Sequence, residues 1–337
     1  MRQKALVICP GRGTYNKDEL GYLRRYHADK DYFIQMLDDY RTQQGQEPVS
    51  VLDARGAYSL QDHTRGDNAS ALIYACAYAD FLSIDRDKFD IVAVTGNSMG
   101  WYVALACAGV LSANGGIQVV NTMGSLMHAH ALGGQVIYPF VEENWQEIDG
   151  RKAELIALTQ QIDDLYISIE LGGMLVFAGA DAALDVLMKR LEPQDRFPLR
   201  LPNHGAFHTK MMEPMAEKGR EALKEALFQN PAVPLIDGRG KIWTPYSTDA
   251  TELYDYTLRH QVCNTYDFMR AVQVGVKEFA PDCLIVLGPG STLGGAVAQS
   301  LLFMKWQGME SKGDFIARQN ENPFVISMGV NEQRALV

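Results

Sequence analysis

Short, wholly apolar runs closed by Gly or Pro alternate along the chain with longer segments whose apolar positions recur at helical spacing. Ala5–Cys9 reads as a buried strand ending in Pro10-Gly11-Arg12-Gly13. Ile91–Thr95 reads as a second strand and Cys283–Leu287 as a third, the last closed by Gly288-Pro289-Gly290. Asp31–Arg41, Ser70–Leu82, Trp101–Leu111 and Leu293–Met304 carry helical patterns. Strands without polar alternation are buried on both faces, as in a parallel sheet covered by helices. From about Gly133 to Pro202 the texture changes. Gln135–Phe140, Leu165–Glu170, Met174–Ala178 and Phe197–Leu201 read as strands, and Trp145–Gln161 and Ala182–Leu191 as helices. Their order, β-α-β-β-α-β, is the ferredoxin-like pattern. The expected fold is therefore α/β. An α/β-hydrolase-like core with a parallel sheet is expected over residues 1–132 and 203–337, with a ferredoxin-like α+β subdomain inserted at 133–202. The stretch after Lys305 carries the weakest pattern.

Composition narrows the partners. The 337 residues are 47% apolar and carry a formal net charge of -10, which leaves no basic footprint for nucleic acid. No stretch approaches the length of a membrane span, and the apolar run Ala5–Cys9 is too short for a secretion signal. The five cysteines (Cys9, Cys76, Cys107, Cys263 and Cys283) are widely spaced without a CxxC pair, as expected of thiols in a reducing compartment. The expectation is a cytoplasmic protein with no nucleic-acid or membrane partner.

The sharpest chemical signal is Gly96-Asn97-Ser98-Met99-Gly100, between the strand Ile91–Thr95 and the helix beginning near Trp101. A GxSxG at a strand-to-helix turn is a nucleophile elbow: the tight turn pushes the serine out, and the glycines let helix and strand approach. The helix N-terminus brings N–H groups and a partial positive charge to the reacting carbonyl. The competing reading of Ser98 is an N-capping serine in a Gly-rich turn. A serine needs a base, usually histidine. Of the seven histidines, His128 and His130 lie two apart on an expected helix and cannot share a face. His204 and His208 have zinc-ligand spacing, but Gly205 interrupts the run, and no Glu follows His204 and no third ligand is evident; no metal site is expected. His208 closes Gly205-Ala206-Phe207-His208 before an expected helix at Met211–Glu225. There it is either the base facing a cleft between the two units or a helix-capping residue. Gly288-Pro289-Gly290 lacks the Lys of a P-loop, and Asn16 stands where a dinucleotide fingerprint needs its third glycine. Both glycine clusters read as turns over the carboxyl edge of the sheet, and the first is a possible source of an oxyanion N–H.

In chain order these motifs resemble the malonyl-CoA:acyl carrier protein transacylase family, which includes the acyltransferase domains of fatty-acid and polyketide synthases. The resemblance runs from about Ala5 to Leu302. Pro10–Gly13 is similar to the family's PGQG turn, and Gly96–Gly100 with the following ALACAGVL to its GHSLG elbow and helix. MLVFAG at Met174–Gly179 is similar to a strand of its small subdomain, and Gly205–His208 with MMEPMAEK to its histidine motif. Arg259 and Gln261–Asn264 resemble its RQ-x-x-N segment, and Leu287–Gly290 its VGPG. The resemblance implies a ping-pong acyl transfer. An acyl group moves from acyl-CoA to an ester on Ser98 and on to the phosphopantetheine thiol of an acyl carrier protein, in fatty-acid or polyketide biosynthesis, with no tightly bound cofactor. His208 would take the serine's proton, a backbone carbonyl near Gln261 would orient His208, and the N–H groups of Arg12 and Met99 would hold the oxyanion. Two rival outcomes on the same scaffold are an acyl hydrolase that edits carrier proteins and a catalytically idle carrier-binding subunit.

The departures concern the acyl pocket. Malonyl-using members carry an Arg in the helix after the elbow, where this chain has Met123. Methionine cannot make the bidentate contact to a malonyl carboxylate, which favours an uncharged acyl group. Arg12 stands where the family has Gln and is a candidate replacement for the missing charge. Asn97 and Trp101 replace the family's His and Glu on the expected rim. Phe207 belongs to a version of the histidine motif seen in malonyl-selective polyketide acyltransferases. These signals point in opposite directions.

Overall fold

The computed structural model describes residues 2–130 and 132–337; Met1 and Ala131, inside the expected 1–132 unit, lie outside them. Among the described residues the strands are β1 (Gln3–Cys9), β2 (Phe89–Gly96), β3 (Gly134–Pro139), β4 (Leu165–Leu171), β5 (Met174–Gly179), β6 (Leu199–Arg200), β7 (Leu235–Ile236), β8 (Ile242–Trp243), β9 (Tyr266–Asp267), β10 (Cys283–Val286) and β11 (Val325–Ser327). They form two sheets.

The larger sheet has the order β11-β10-β1-β2-β7-β8. All its pairings are parallel except β7 with β8, an antiparallel edge. The apolar runs Ala5–Cys9 and Cys283–Val286 lie side by side at its centre, wholly buried, as strands covered on both faces must be. Gly66–Ser83 packs along Ala113–His130 on one side, and Phe268–Phe279 and Leu293–Leu302 are further helices around the sheet. The smaller sheet has the order β6-β3-β5-β4-β9, with β3, β5, β4 and β6 antiparallel and helices at Arg151–Gln161 and Asp181–Arg190. Its fifth strand, β9, comes from the C-terminal half and runs parallel to β4. A two-residue strand carries no periodicity, so the pattern could not announce it.

Several boundaries move. The expected helix Trp145–Gln161 begins only at Arg151, because Trp145 and Gly150 both sit at positive φ. The helix Trp101–Leu111 ends at Cys107, just before Gly109 turns left-handed. Met211–Glu225 resolves into a 3-10 turn and the helix Glu213–Ala222, and Phe197–Leu201 pairs only at Leu199–Arg200.

The stretch after Lys305 proves structured. It contributes the helix Lys312–Glu321 and strand β11 on the sheet's edge. Beyond β11, Arg334 reaches a fully buried carboxylate, Asp80. Asp80 accepts from Arg334 Nη2 at 2.6 Å, the backbone N–H of Gly288 at 2.7 Å, Tyr22 Oη at 2.8 Å and His27 Nε2 at 2.8 Å. A buried carboxylate is tolerated only when its lone pairs are filled in this way. One side chain thus ties the C-terminal stretch to the turn after β10. Asp80→Ala strands four donors, so it should lower the unfolding free energy by about 3–5 kcal/mol in urea denaturation. A loss under about 1 kcal/mol would show that the hub carries no such weight.

Candidate active site

The turn after β2 is forced by close packing. A Cβ on Gly96 would lie 2.2 Å from the carbonyl oxygen of Gly100, and one on Gly100 would lie 2.3 Å from that of Cys9. Only glycine permits the helix Gly100–Cys107 to start directly against the ends of β1 and β2. Between them Ser98 takes a left-handed backbone conformation, φ 55°. A serine held in that sparsely populated region marks strain stored at a functional turn.

Ser98 Oγ lies 2.7 Å from His208 Nε2. His208 Nδ1 lies 2.6 Å from the carbonyl oxygen of Gln261. A carbonyl can only accept, so Nδ1 carries the proton and Nε2 is the free acceptor for the serine hydroxyl. That is the contact a serine nucleophile makes with its base. Burial pushes the His208 imidazole down to about 4, partly opposed by the Gln261 hydrogen bond that favours the charged form. The helix-capping alternative falls to a neighbour: Thr209, not His208, caps the turn at Lys210–Met212 through its side chain.

Gln261 serves both partners. Its carbonyl holds His208, while its side-chain Nε2 donates to the carbonyl of Ser98 at 3.0 Å and its Oε1 accepts from Tyr102 Oη at 3.0 Å. Gln261 follows a π-helical turn at Tyr256–His260, a wide turn often found at functional sites. The carbonyl of Phe207 accepts from Ser168 Oγ at 2.7 Å, which accepts from Gln135 Nε2 at 2.6 Å, and Gln135 Oε1 meets His204 Nδ1 at 2.6 Å. His204 is therefore engaged with the small sheet. Tyr266, on β9, donates to the carbonyl of Gly96 at 2.6 Å and packs its ring 5.5 Å from that of His208. Ser168, Tyr102 and Tyr266 were not singled out from the sequence, where none stands in a recognisable spacing.

Other expected residues fall as follows. The backbone N–H groups of Met99 and Arg12 donate to no protein acceptor among the described residues. Met123 and Phe207 line a small pocket that reaches Ser98. Asn97 instead lines a second, larger groove, with its Oδ1 buried and unpartnered. Trp101, expected on the rim, is fully buried: its Nε1 donates to Thr257 Oγ1 at 3.0 Å and its ring meets Tyr256 edge-on at 5.2 Å. It braces the π-helical turn rather than the pocket. The larger groove lies between the turns after β1, β2 and β10 and the inner face of the small sheet, at the carboxyl ends of parallel strands where ligands bind in such sheets. Among the described residues no group of three or more His, Cys, Asp or Glu side chains could hold a metal ion, and no helix is long and apolar enough to cross a membrane.

The backbone as a whole superposes on a solved structure, the malonyl-CoA:acyl carrier protein transacylase of Synechocystis sp. PCC 6803, with a TM-score of 0.77 over 99% of this chain and 100% of that one, at 16% identity. The fold is that of the malonyl-CoA:acyl carrier protein transacylases. In sequence, the chain is 25% identical over 248 residues to a malonyl CoA-acyl carrier protein transacylase of Synechocystis sp., covering 71% of this chain and 79% of that protein. It is also 25% identical over 303 residues, 88% of its length, to the phenolphthiocerol synthesis polyketide synthase type I Pks15/1 of Mycobacterium marinum. It spans only 14% of that synthase. No family model matches the chain. The transacylase fold thus carries an elbow serine and a histidine at hydrogen-bond distance between its two sheets.

Two outcomes follow from this geometry. A fluorophosphonate probe should label Ser98 at a rate that is flat from pH 8 to about 5 and falls with a midpoint near 4, because the base loses its acceptor only below the His208 value. A midpoint near 6.5 would mean a solvated imidazole. Gln261→Ala keeps the carbonyl but loses the side-chain bond to Ser98, and should slow labelling about tenfold, against about 10²–10⁴ for His208→Ala. Equal losses in the two variants would rule out that division of labour.

Proposed function

We propose that this protein is an acyltransferase that carries an acyl group from acyl-CoA to the phosphopantetheine thiol of an acyl carrier protein, in fatty-acid or polyketide biosynthesis. The observation that carries the reading is the 2.7 Å contact between Ser98 Oγ and the acceptor nitrogen of His208 at a strained elbow. Ser98 Oγ attacks the thioester carbon while its proton passes to His208 Nε2. The oxyanion faces the N–H groups of Met99 and Arg12. Collapse expels the CoA thiolate, which takes the proton from His208, and leaves an ester on Ser98. The carrier's thiol then attacks that ester, gives its proton to His208, and the departing Ser98 oxygen recovers it. A thioester is already activated, so the chemistry asks for no resident cofactor.

The transacylase fold and the curated relatives support this reading. The strand order β6-β3-β5-β4, with a helix following β3 and another following β5, fits a ferredoxin-like unit inserted between residues 133 and 202. The parallel sheet with its elbow after β2 fits an α/β-hydrolase-like core formed by the rest. The groove between the sheets has Ser98 among its lining residues, which offers a phosphopantetheine arm a route to the serine from donor or carrier. Five thiols outside any disulfide suit a reducing, cytoplasmic setting.

Intact-mass analysis after incubation with a panel of acyl-CoAs should find one acyl adduct, absent in Ser98→Ala. Adding a phosphopantetheinylated carrier protein should move that acyl group to the carrier faster than free acid appears. Faster release of acid would make the protein a hydrolase, and no adduct with any acyl-CoA would leave it a carrier-binding subunit.

A further inference from the structure

Two cavities meet at Ser98: the groove between the sheets and the smaller pocket, with Arg12, Ser98 and Phe207 shared by both. The smaller pocket ends among Val120, Met123, Gly124 and Met127, on the helix Ala113–His130. Its remaining walls include Tyr102 and Val262. Met123 is 1% exposed, and its sulfur packs so closely on Gly219 that a Cβ there would lie 2.7 Å away. Thioether and aliphatic walls accept apolar groups of varied shape; the Ser70 hydroxyl beside them is a neutral single-point donor and no ionic partner for a carboxylate.

The one permanently charged side chain lining this pocket is Arg12, so the class of acyl group turns on what its guanidinium has free. Nη2 donates to the carbonyls of both Thr64 and Asn203, each at 2.9 Å. The guanidinium also sits over the Phe207 ring, 5.4 Å from its centroid. A guanidinium presents parallel N–H groups along two edges, and each edge includes Nη2. With both Nη2 hydrogens occupied, neither edge is open to the two oxygens of a carboxylate, the geometry that makes Arg a strong carboxylate partner. Nε is buried and unpartnered, and Nη1 makes no hydrogen bond to the described residues; each offers a one-point contact, and neither has a free Nη2 hydrogen beside it to complete a two-oxygen edge. Arg12 is thus a strut that ties the turn after β1 to Thr64, just before the helix Gly66–Ser83, and to Asn203, five residues before His208.

From this we infer that the pocket beside Ser98 takes an uncharged acyl group, acetyl to short-chain, rather than a carboxyacyl group such as malonyl. The inference rests on the acyl-transfer reading above and names the substrate class of that same site. An uncharged chain asks for no polar partner in the pocket, whereas a carboxylate there would lose its water without gaining a two-point partner.

The test is the rate of Ser98 acylation by the wild-type protein, followed by intact mass, with malonyl-, acetyl- and butyryl-CoA at equal concentration. Acetyl or butyryl should add at least about tenfold faster than malonyl. Met123→Arg, which places a free guanidinium in the pocket, should raise malonyl relative to butyryl by about tenfold or more. The wild-type comparison stands even if that variant does not fold. Malonyl adding as fast as the uncharged groups would overturn the inference and leave acyl transfer intact, and loss of that malonyl labelling in Arg12→Gln would assign the carboxylate to Arg12. Labelling by none of the three would overturn the acyl-transfer reading and this inference with it.

Discussion

The structure depends on how closely one helix can start against the ends of two strands. With no side chains at Gly96 and Gly100, the helix Gly100–Cys107 begins within van der Waals reach of the carbonyl of Cys9. Between those two glycines Ser98 sits in the left-handed region, and its hydroxyl meets His208. The rest of the site is arranged around that fixed point. The glycine-bearing turns after β1 and β10 border the groove, and the small sheet covers it.

His208 reaches the same point from another part of the chain. It follows β6 of the small sheet, and its segment is held to that sheet through Ser168, Gln135 and His204. Its orientation comes from the larger unit, through the carbonyl of Gln261. Because the Gln261 side chain also grips the backbone of Ser98, Ser98 and His208 share one support. Trp101 and Tyr102, adjacent on the helix after the elbow, pin that support from below through Thr257 and Gln261. A shift of the π-helical turn would therefore displace both reacting groups together.

Much of this was legible because it repeats. Ala5–Cys9 and Cys283–Leu287 are unbroken apolar runs, so their burial side by side in a parallel sheet follows from composition alone. Ser98 was legible because the elbow needs glycine two residues to either side. His208 was legible only as one of two readings, since no pattern in sequence tells a cap from a base until the fold places Thr209 in the capping role. Tyr266 and β9 were not legible: two residues have no period, and their partner β4 lies about a hundred positions earlier. Trp101 was misplaced for a related reason. A large side chain three residues past a nucleophile reads as a pocket wall, but the helix turns it by most of a full circle, into the core.

The neutral partner of His208 has a consequence for the charge of the cleft. A carboxylate behind the imidazole would stabilise its charged form, whereas a carbonyl in a buried setting leaves the ring uncharged across the physiological range. The face that meets Ser98 therefore carries no fixed charge, positive or negative, from this pair.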